Sequence, residues 1–193
     1  MKRRSLIALS AGLLAGSLAM SGMAIANAKD YVLNTASTGG TYHPVGTAIA
    51  TLSQVKLLPK QKFSLTAVNS AGSGANVQAM GAGTADFAIL QGLFGSYAAT
   101  GTGPVSAPQK NLRSVTMLWQ NVEQFVVSNS VVKNGTVSDL LALKGQGAGM
   151  GKQNSGTIGS NRVLLSGLGL DMDKDFELMY AQGYLLPHVY MSI

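Results

Sequence analysis

The sequence predicts an α/β protein, because one local pattern recurs along the chain: an apolar strand, a turn rich in Gly and hydroxyl residues, and then a helix. These turns and the helices after them cover residues 35–46, 69–80 and 151–165. The nearly all-apolar segment 86–90 is typical of a strand buried on both faces of a parallel sheet. In such folds ligands bind at the carboxyl ends of the strands. The three turns are therefore expected to converge on one site.

The first turn shows why these segments suit an anion. It precedes a pattern in which apolar residues recur every three or four positions, which predicts a helix. Pro44 fits the first turn of that helix, where its missing N–H costs no hydrogen bond. Gly39 and Gly40 lack Cβ atoms, so backbone N–H groups can face a small carboxylate or phosphate there. For any one turn, an ordinary Gly-rich connection with hydroxyl caps is the alternative interpretation.

The remaining elements are predicted from periodicity and turn residues. Strands are expected at residues 63–68, 112–119, 124–127 and 147–151, and a short helix at residues 137–143. Residues 57–62, which contain Pro59, predict a polar turn.

The beginning of the chain has the features of a cleaved export signal, and the periplasm is the expected compartment. Residues 2–4 are basic, residues 6–20 are small and apolar, and Ala26-Asn27-Ala28 forms a cleavage site. An uncleaved anchor is the alternative. Without the three basic residues of the signal, the net charge falls from +6 to +3. The absence of Cys excludes disulfides, and no basic cluster of the kind that nucleic-acid binding requires is present.

Catalysis, metal binding and cofactors are not expected. Ser53 and Lys56 match the S-x-x-K signature of serine acyl enzymes, but its S-D-N and K-T-G partners are missing, and the pair is predicted to lie on a helix surface. Two histidines and no Cys offer little for a transition metal. The acidic run 171–177 lacks the Gly of an EF-hand loop and predicts a solvated turn.

Taken together, these motifs resemble the TAXI family of extracytoplasmic solute-binding proteins, which serve tripartite ATP-independent periplasmic (TRAP) transporters. The resemblance covers roughly residues 31–182. It rests on Thr38-Gly39-Gly40-Thr41-Tyr42-His43-Pro44-Val45-Gly46, on residues 69–76 and 84–91, on the hinge-like residues 126–145, on residues 151–157 and on Tyr180-Ala181-Gln182.

The resemblance implies a periplasmic-binding-protein type II-like two-lobed α/β fold, with lobe 1 at residues 29–123 and part of lobe 2 at residues 124–182. It implies a small anionic solute, of the glutamate or dicarboxylate class, that is bound without chemical change and passed to the membrane subunits of a TRAP transporter. Tyr42 would pack on the ligand or in the core. The ligand-binding residues implied are Ser37, Thr38, Gly39, Gly40, Thr41, Tyr42, Asn69, Ser70, Gln91, Asn154, Ser155, Gly156 and Thr157.

This chain departs from the family pattern in composition and in length. His43 stands where Tyr is usual, Lys152-Gln153-Asn154 replaces a more apolar turn, and no polar pair follows Gln91. Relatives continue well beyond the end of this chain, so residues 183–193 are predicted to be a divergent tail and lobe 2 to be incomplete through truncation. A non-functional or interaction-only remnant is the alternative function, and an exported serine hydrolase is a less favoured one.

Overall fold

The computed structural model describes residues 28–180 and 189–192, which form a mixed α/β structure with two sheets. The first sheet has the order β2-β1-β3 and is parallel throughout. Its strands are β1 (Lys29–Asn34), β2 (Phe63–Val68) and β3 (Phe87–Ala88). The predicted α/β class with parallel strands is confirmed. The predicted export signal lies outside the described residues, except for Ala28.

Helices follow β1 and β2 as predicted, and a further helix that was not predicted follows β3. β1 leads into α1 (Tyr42–Leu52), which continues as a π-helix (Ser53–Leu57) and then as α2 (Leu58–Gln61). After β2 come α3 (Ser73–Gly81), β3 and α4 (Gly92–Thr100).

The turn predicted at residues 57–62 is wrong, because the chain stays helical as far as Gln61. Pro59 lies in the first turn of α2, where proline is tolerated. The chain reverses only at Lys62, whose φ of 56° lies in the left-handed region.

The second sheet has the order β4-β7-β5-β6 and is mixed. β5 runs parallel to β6 and β7, whereas β4 is antiparallel to β7. Its strands are β4 (Gln124–Val127), β5 (Gly147–Gly149), β6 (Glu177–Met179) and β7 (Val189–Ser192). Its helices are two 3₁₀-helices (Asn129–Val131 and Val137–Leu143), α5 (Gly156–Gly167) and α6 (Met172–Asp175). The segment predicted to be a divergent tail thus contributes β7 to this sheet.

Separate apolar cores lie under the two sheets. The core of the first sheet is centred on Leu33, Ala50, Leu65 and Ile89. That of the second sheet contains, among the residues whose burial is described, Leu140, Leu143, Ala148, Met150, Ile158, Leu165, Leu170, Met172 and Phe176. A smaller cluster of Val77, Phe94 and Ala98 packs α3 against α4. Division of the chain into lobes at residues 123 and 124 stays a prediction.

Two of the predicted strands differ from the structure, one in being absent and the other in its length. Residues 113–123 form neither helix nor strand, and Val115 and Met117 are 79% and 81% exposed. Their apolar alternation is strand-like, but no neighbouring strand pairs with them in the part of the chain that is described. The strand predicted at residues 86–90 is only two residues long and half-buried, because β3 pairs with β1 alone among the described strands.

Among the described residues, no helix combines the length and the apolar character that crossing a membrane requires.

Candidate functional site

A buried hydrogen-bond network closes the carboxyl edge of the first sheet. Thr35, the residue after β1, is fully buried, and its Oγ1 donates to the Val68 carbonyl at 2.8 Å. The same oxygen lies 3.1 Å from Nδ1 of His43. Because the Thr35 proton is used on Val68, His43 Nδ1 carries the proton that joins them. The start of α1 is thereby fixed to the ends of β1 and β2.

Asn76 is the centre of this network. Its Nδ2 donates to the carbonyls of Thr35 and Ile89, both at 2.7 Å, and its Oδ1 lies 2.7 Å from Oγ of Ser70. Ser70 Oγ also accepts from the N–H of Gly72 at 3.0 Å. Asn76 is fully buried and belongs to the first turn of α3. It therefore holds that helix start against the ends of two strands.

The start of α3 touches the start of α5, although the two helices follow strands of different sheets. Gly72 has φ 113° and ψ −155°, a conformation that essentially only Gly adopts, and a Cβ there would lie 3.4 Å from Ser155 Cα. The N–H of Ala75 donates to the Asn154 carbonyl at 3.1 Å. The same carbonyl lies 2.7 Å from the place of a Cβ on Gly74. Larger side chains at these positions would separate the two turns.

Gln91 lies between the same elements and is 8% exposed. Its N–H donates to Ser73 Oγ at 3.0 Å, and its Oε1 accepts from Ser160 Oγ at 3.3 Å. A Cβ at Gly156 would lie 2.5 Å from Gln91 Oε1. Gln91 therefore joins the helices of the first sheet to α5.

Five of the thirteen predicted ligand-binding residues thus form one cluster: Ser70, Gln91, Asn154, Ser155 and Gly156. Thr157 follows them in the first turn of α5. The N–H groups of Gly156 and Thr157 have no acceptor among the described residues, whereas that of Ile158 is capped by Ser155 Oγ at 3.4 Å. Donors of this kind can bind a carboxylate.

The first turn lies beside this cluster rather than inside it. It is attached to the cluster by the Ser70 N–H, which donates to the Ala36 carbonyl at 3.3 Å. Within the turn, Gly40 N–H donates to the Ser37 carbonyl at 2.9 Å. No hydrogen bond joins residues 37–42 to residues 152–157 in the described structure. Thr38, Gly39, Thr41 and Asn69 are exposed, and Tyr42 packs against the core of the first sheet.

Sequence reasoning missed the buried polar residues that support the cluster: Thr35, Asn76, Ser73 and Ser160. Ser73 and Asn76 are three positions apart at the start of a predicted helix and therefore share a face. Two polar residues on the inward face of a helix were the signal that could have revealed them.

Ser53 was predicted to lie on the surface, and this prediction is wrong. It is 3% exposed, its Oγ donates to the Ala50 carbonyl at 2.7 Å, and it accepts from the Leu65 N–H at 2.8 Å. The hydroxyl therefore links α1 to β2, which accounts for its burial without a role as a nucleophile.

A hollow lies on the far side of α5, away from the residue cluster described above. This open cavity of about 670 Å³ contains none of the predicted ligand-binding residues. Its lining is Arg162, Val163, Ser166, Gly169, Leu170, Asp171, Met172 and Asp173. The Arg162 guanidinium makes two hydrogen bonds with Asp173, at 2.7 and 3.0 Å. This pairing raises the pKa of Arg162 and lowers the pKa of Asp173, so the cation is already neutralised.

The acidic residues near this cavity have cationic partners. Asp171 pairs with Lys174 at 2.6 Å, and Asp175 pairs with Lys144 at 2.9 Å. Within the described ranges, no three His, Cys, Asp or Glu side chains are grouped so that they could hold a metal ion.

Parallel strands whose polar turns meet at helix starts are compatible with the binding of a small solute at that edge of the sheet. The comparison with family models agrees with solute binding, since the model described as the NMT1-like family matches residues 33–185. The chain belongs to the NMT1-like family, which is of the periplasmic solute-binding type. Proteins of this family bind solutes rather than catalyse reactions, and they typically lie outside the cytoplasm.

Proposed function

We propose that this protein captures a small solute bearing a carboxylate, of the glutamate or dicarboxylate class, and presents it to the membrane subunits of a TRAP transporter. One observation carries the proposal: the starts of α3 and α5, from different sheets, lie in direct contact at Gly72 and Ser155. Each helix start carries a partial positive charge and unpaired N–H donors, so two starts together favour an anion.

Two further features support an anionic solute. The N–H groups of Gly156 and Thr157 are two neighbouring donors that have no acceptor among the described residues. Lys152 lies in the turn before them and adds positive charge to the same region. No compensating carboxylate occurs between residues 140 and 170.

The separate cores of the two sheets support a two-lobed interpretation of the TAXI type, with a boundary near residues 123 and 124. In this interpretation the contact between Gly72 and Ser155 belongs to a closed arrangement. A solute reaches the N–H donors only when the two turns separate, and closure then surrounds it.

The test is a thermal-shift and calorimetry series on the folded chain without residues 1–28. We expect glutamate, 2-oxoglutarate and succinate to raise the melting temperature, because a ligand that binds only the native state stabilises it. Glutamine, which lacks the second carboxylate, reports whether that charge is required. If none of the four changes the melting temperature of the folded protein at millimolar concentration, the proposal is wrong.

Variants locate the site. Thr38→Ala, Ser155→Ala and Thr157→Ala are each expected to weaken binding by about 0.5–1.5 kcal/mol if their hydroxyls bond the solute. Ser166→Ala is the matched control, because Ser166 lies near the other end of α5 and lines the cavity around Arg162. Unchanged affinity in the triple variant, or a loss in Ser166→Ala, would move the site away from the turns.

An interaction-only role is a second candidate, and it is favoured by the exposed apolar side chains of residues 113–122. Val115, Met117 and Val122 are each more than 60% exposed. Contiguous apolar surface of this kind marks partner sites on soluble proteins. This candidate predicts self-association or partner binding, together with no response to the four solutes, and size-exclusion chromatography with light scattering distinguishes the two.

A further inference from the structure

We infer that residues 113–123 are a self-pairing segment, to which a second copy of this chain adds its own residues 113–123 as an antiparallel strand. The inference rests on the interaction role considered above and names the partner. It does not depend on solute capture, because the segment contains none of the residues at the starts of α3 and α5.

The backbone of the segment is the first argument. It contains no helix, turn or bend between Leu112 and β4, and none of its N–H or C=O groups bonds to another backbone group among the described residues. β4, which continues the segment, pairs with β7 alone among the described strands. Backbone groups require hydrogen-bond partners, and a row of unpaired ones is a template for another strand.

The side chains are the second argument. Neither Gly nor Pro interrupts residues 113–123, and the only charges are Arg113 and Glu123 at the two ends. Between them, apolar side chains such as Val115 and Met117 are about four-fifths exposed. An uncharged run of this kind pairs readily with other strands. Trp119 packs against Tyr42, so the segment is attached to the first sheet by a side chain and not by its backbone.

The end charges select the partner and the direction. Arg113 and Glu123 lie at equal distances in sequence on either side of Leu118. When two copies pair antiparallel about Leu118, Arg113 of each copy lies opposite Glu123 of the other. Met117 then lies opposite Trp119 of the other copy, which favours a contact between sulfur and ring. A parallel pair would instead place like charges opposite each other at both ends, which is destabilising.

Both charged groups are available for these ion pairs. Nη1 of Arg113 donates to the carbonyls of Lys110 and Leu112 at 2.6 and 2.7 Å, which leaves its Nε and Nη2 donors for a carboxylate. Glu123 has no ion pair within the part of the chain that is described. Two ion pairs related by a two-fold axis make a closed dimer.

The test is sedimentation velocity of the folded chain over a range of concentrations. Because the paired segment is short, we expect a weak dimer with a dissociation constant of about 1–100 μM. Hydrogen exchange at the N–H groups of residues 114–122 should become slower as the concentration rises, whereas exchange in the exposed turn at Thr38 and Gly39 should not change.

Charge reversals test the register. Arg113→Glu and Glu123→Arg each place like charges opposite one another, so each should weaken the dimer about fivefold to thirtyfold. The double variant should restore it, and an equimolar mixture of the two single variants should form a heterodimer. Lys56→Glu, an exposed reversal on the π-helix, is the control and should not change the dissociation constant.

A chain that stays monomeric at millimolar concentration, or a dimer that neither reversal weakens, would overturn the inference. So would a dimer that both reversals weaken but that neither the double variant nor the mixture restores. The response of the melting temperature to succinate is read separately. If succinate stabilises a chain that stays monomeric, the inference fails while the proposed function stands, and a dimer that ignores all four solutes gives the reverse result.

Discussion

The starts of α3 and α5 are in contact, but the N–H groups in their first turns are bonded in different ways. α5 carries its own cap, since Ser155 Oγ accepts from the N–H of Ile158. α3 has no side-chain cap, and the N–H of Ala75 is bonded instead to the Asn154 carbonyl of the opposite turn. α5 is therefore self-sufficient, whereas α3 depends on the other sheet. If the contact opened, the N–H of Ala75 would lose its acceptor.

The largest loss of stability is expected at Asn76, which bonds the start of α3 to the residues that follow two strands. Asn76→Ala leaves the buried Ile89 carbonyl without its side-chain donor and removes one of the two side-chain donors of the Thr35 carbonyl, the other being Ser70 Oγ at 3.1 Å. We expect the free energy of unfolding to fall by about 2–4 kcal/mol in chemical denaturation. Gln78→Ala, an exposed change on the same helix, is the control and should stay near the wild-type value. A loss below about 0.5 kcal/mol in Asn76→Ala would show that the network is not formed.

A somewhat smaller effect is expected at the contact itself. In Gly156→Ala the new methyl would lie 2.5 Å from Gln91 Oε1 and 2.8 Å from Ser73 Oγ, so these side chains must move. We expect the free energy of unfolding to fall by about 1–3 kcal/mol. Gly167→Ala is the matched control, because a Cβ there meets nothing within 4 Å on the same helix. Equal midpoints for the two variants in denaturant would argue against the contact.

Removal of the cap should cost less. Ser155→Ala takes one acceptor from the start of α5, and at 3.4 Å this hydrogen bond is long. We expect the free energy of unfolding to fall by about 0.5–1 kcal/mol, which is at the low end of the range for helix caps. Ser166→Ala again serves as the control. A Ser155→Ala variant as stable as Ser166→Ala would show that α5 does not depend on this cap.

The smallest effect at neutral pH concerns a carboxylate that the protein already holds on backbone donors. The N–H groups of Lys133, Asn134 and Gly135 donate to the Asp139 carboxylate at 2.9–3.1 Å. Burial alone would raise the pKa of Asp139, but these donors outweigh it and lower the pKa below 3.8. A lowered pKa stabilises the fold above 3.8, and the contribution is lost as the pH falls through the lower native value.

The pH dependence of unfolding checks this carboxylate. We expect the stability advantage of the wild type over Asp139→Asn to be constant at neutral pH and to shrink below about pH 4. An advantage that grows as the solution is acidified would contradict the sign.

Sequence periodicity located most elements of the fold because it is a local property. The strand at residues 63–68 and the helices at Ser73–Gly81 and Gly156–Gly167 lie where the pattern predicts them. The strand predicted at residues 112–119 failed because a strand requires a partner, which the pattern of one segment cannot supply. Ser53 was misplaced because the buried face of this helix runs through Gly46, Ala50 and Ser53, whereas the apolar residues Leu52 and Val55 are exposed.

The site was predictable only in part, for the same reason. The polar turns could be predicted, because Gly and hydroxyl residues precede each predicted helix. The contact of Gly72 with Ser155, and the proximity of Trp119 to Tyr42, depend on how distant segments pack. Asn76 carries the network that positions the start of α3, but in sequence it is one polar residue in a helix.

We propose that the turns of the two sheets hold one carboxylate between them, and a titration of the isotope-labelled protein with succinate, followed by amide NMR, decides whether they do. We predict the largest shifts at the N–H groups of Gly74, Gly156 and Thr157, with Gly167 unchanged. Shifts confined to the cavity around Arg162 and Asp171, or to only one of the two helix starts, would contradict the claim.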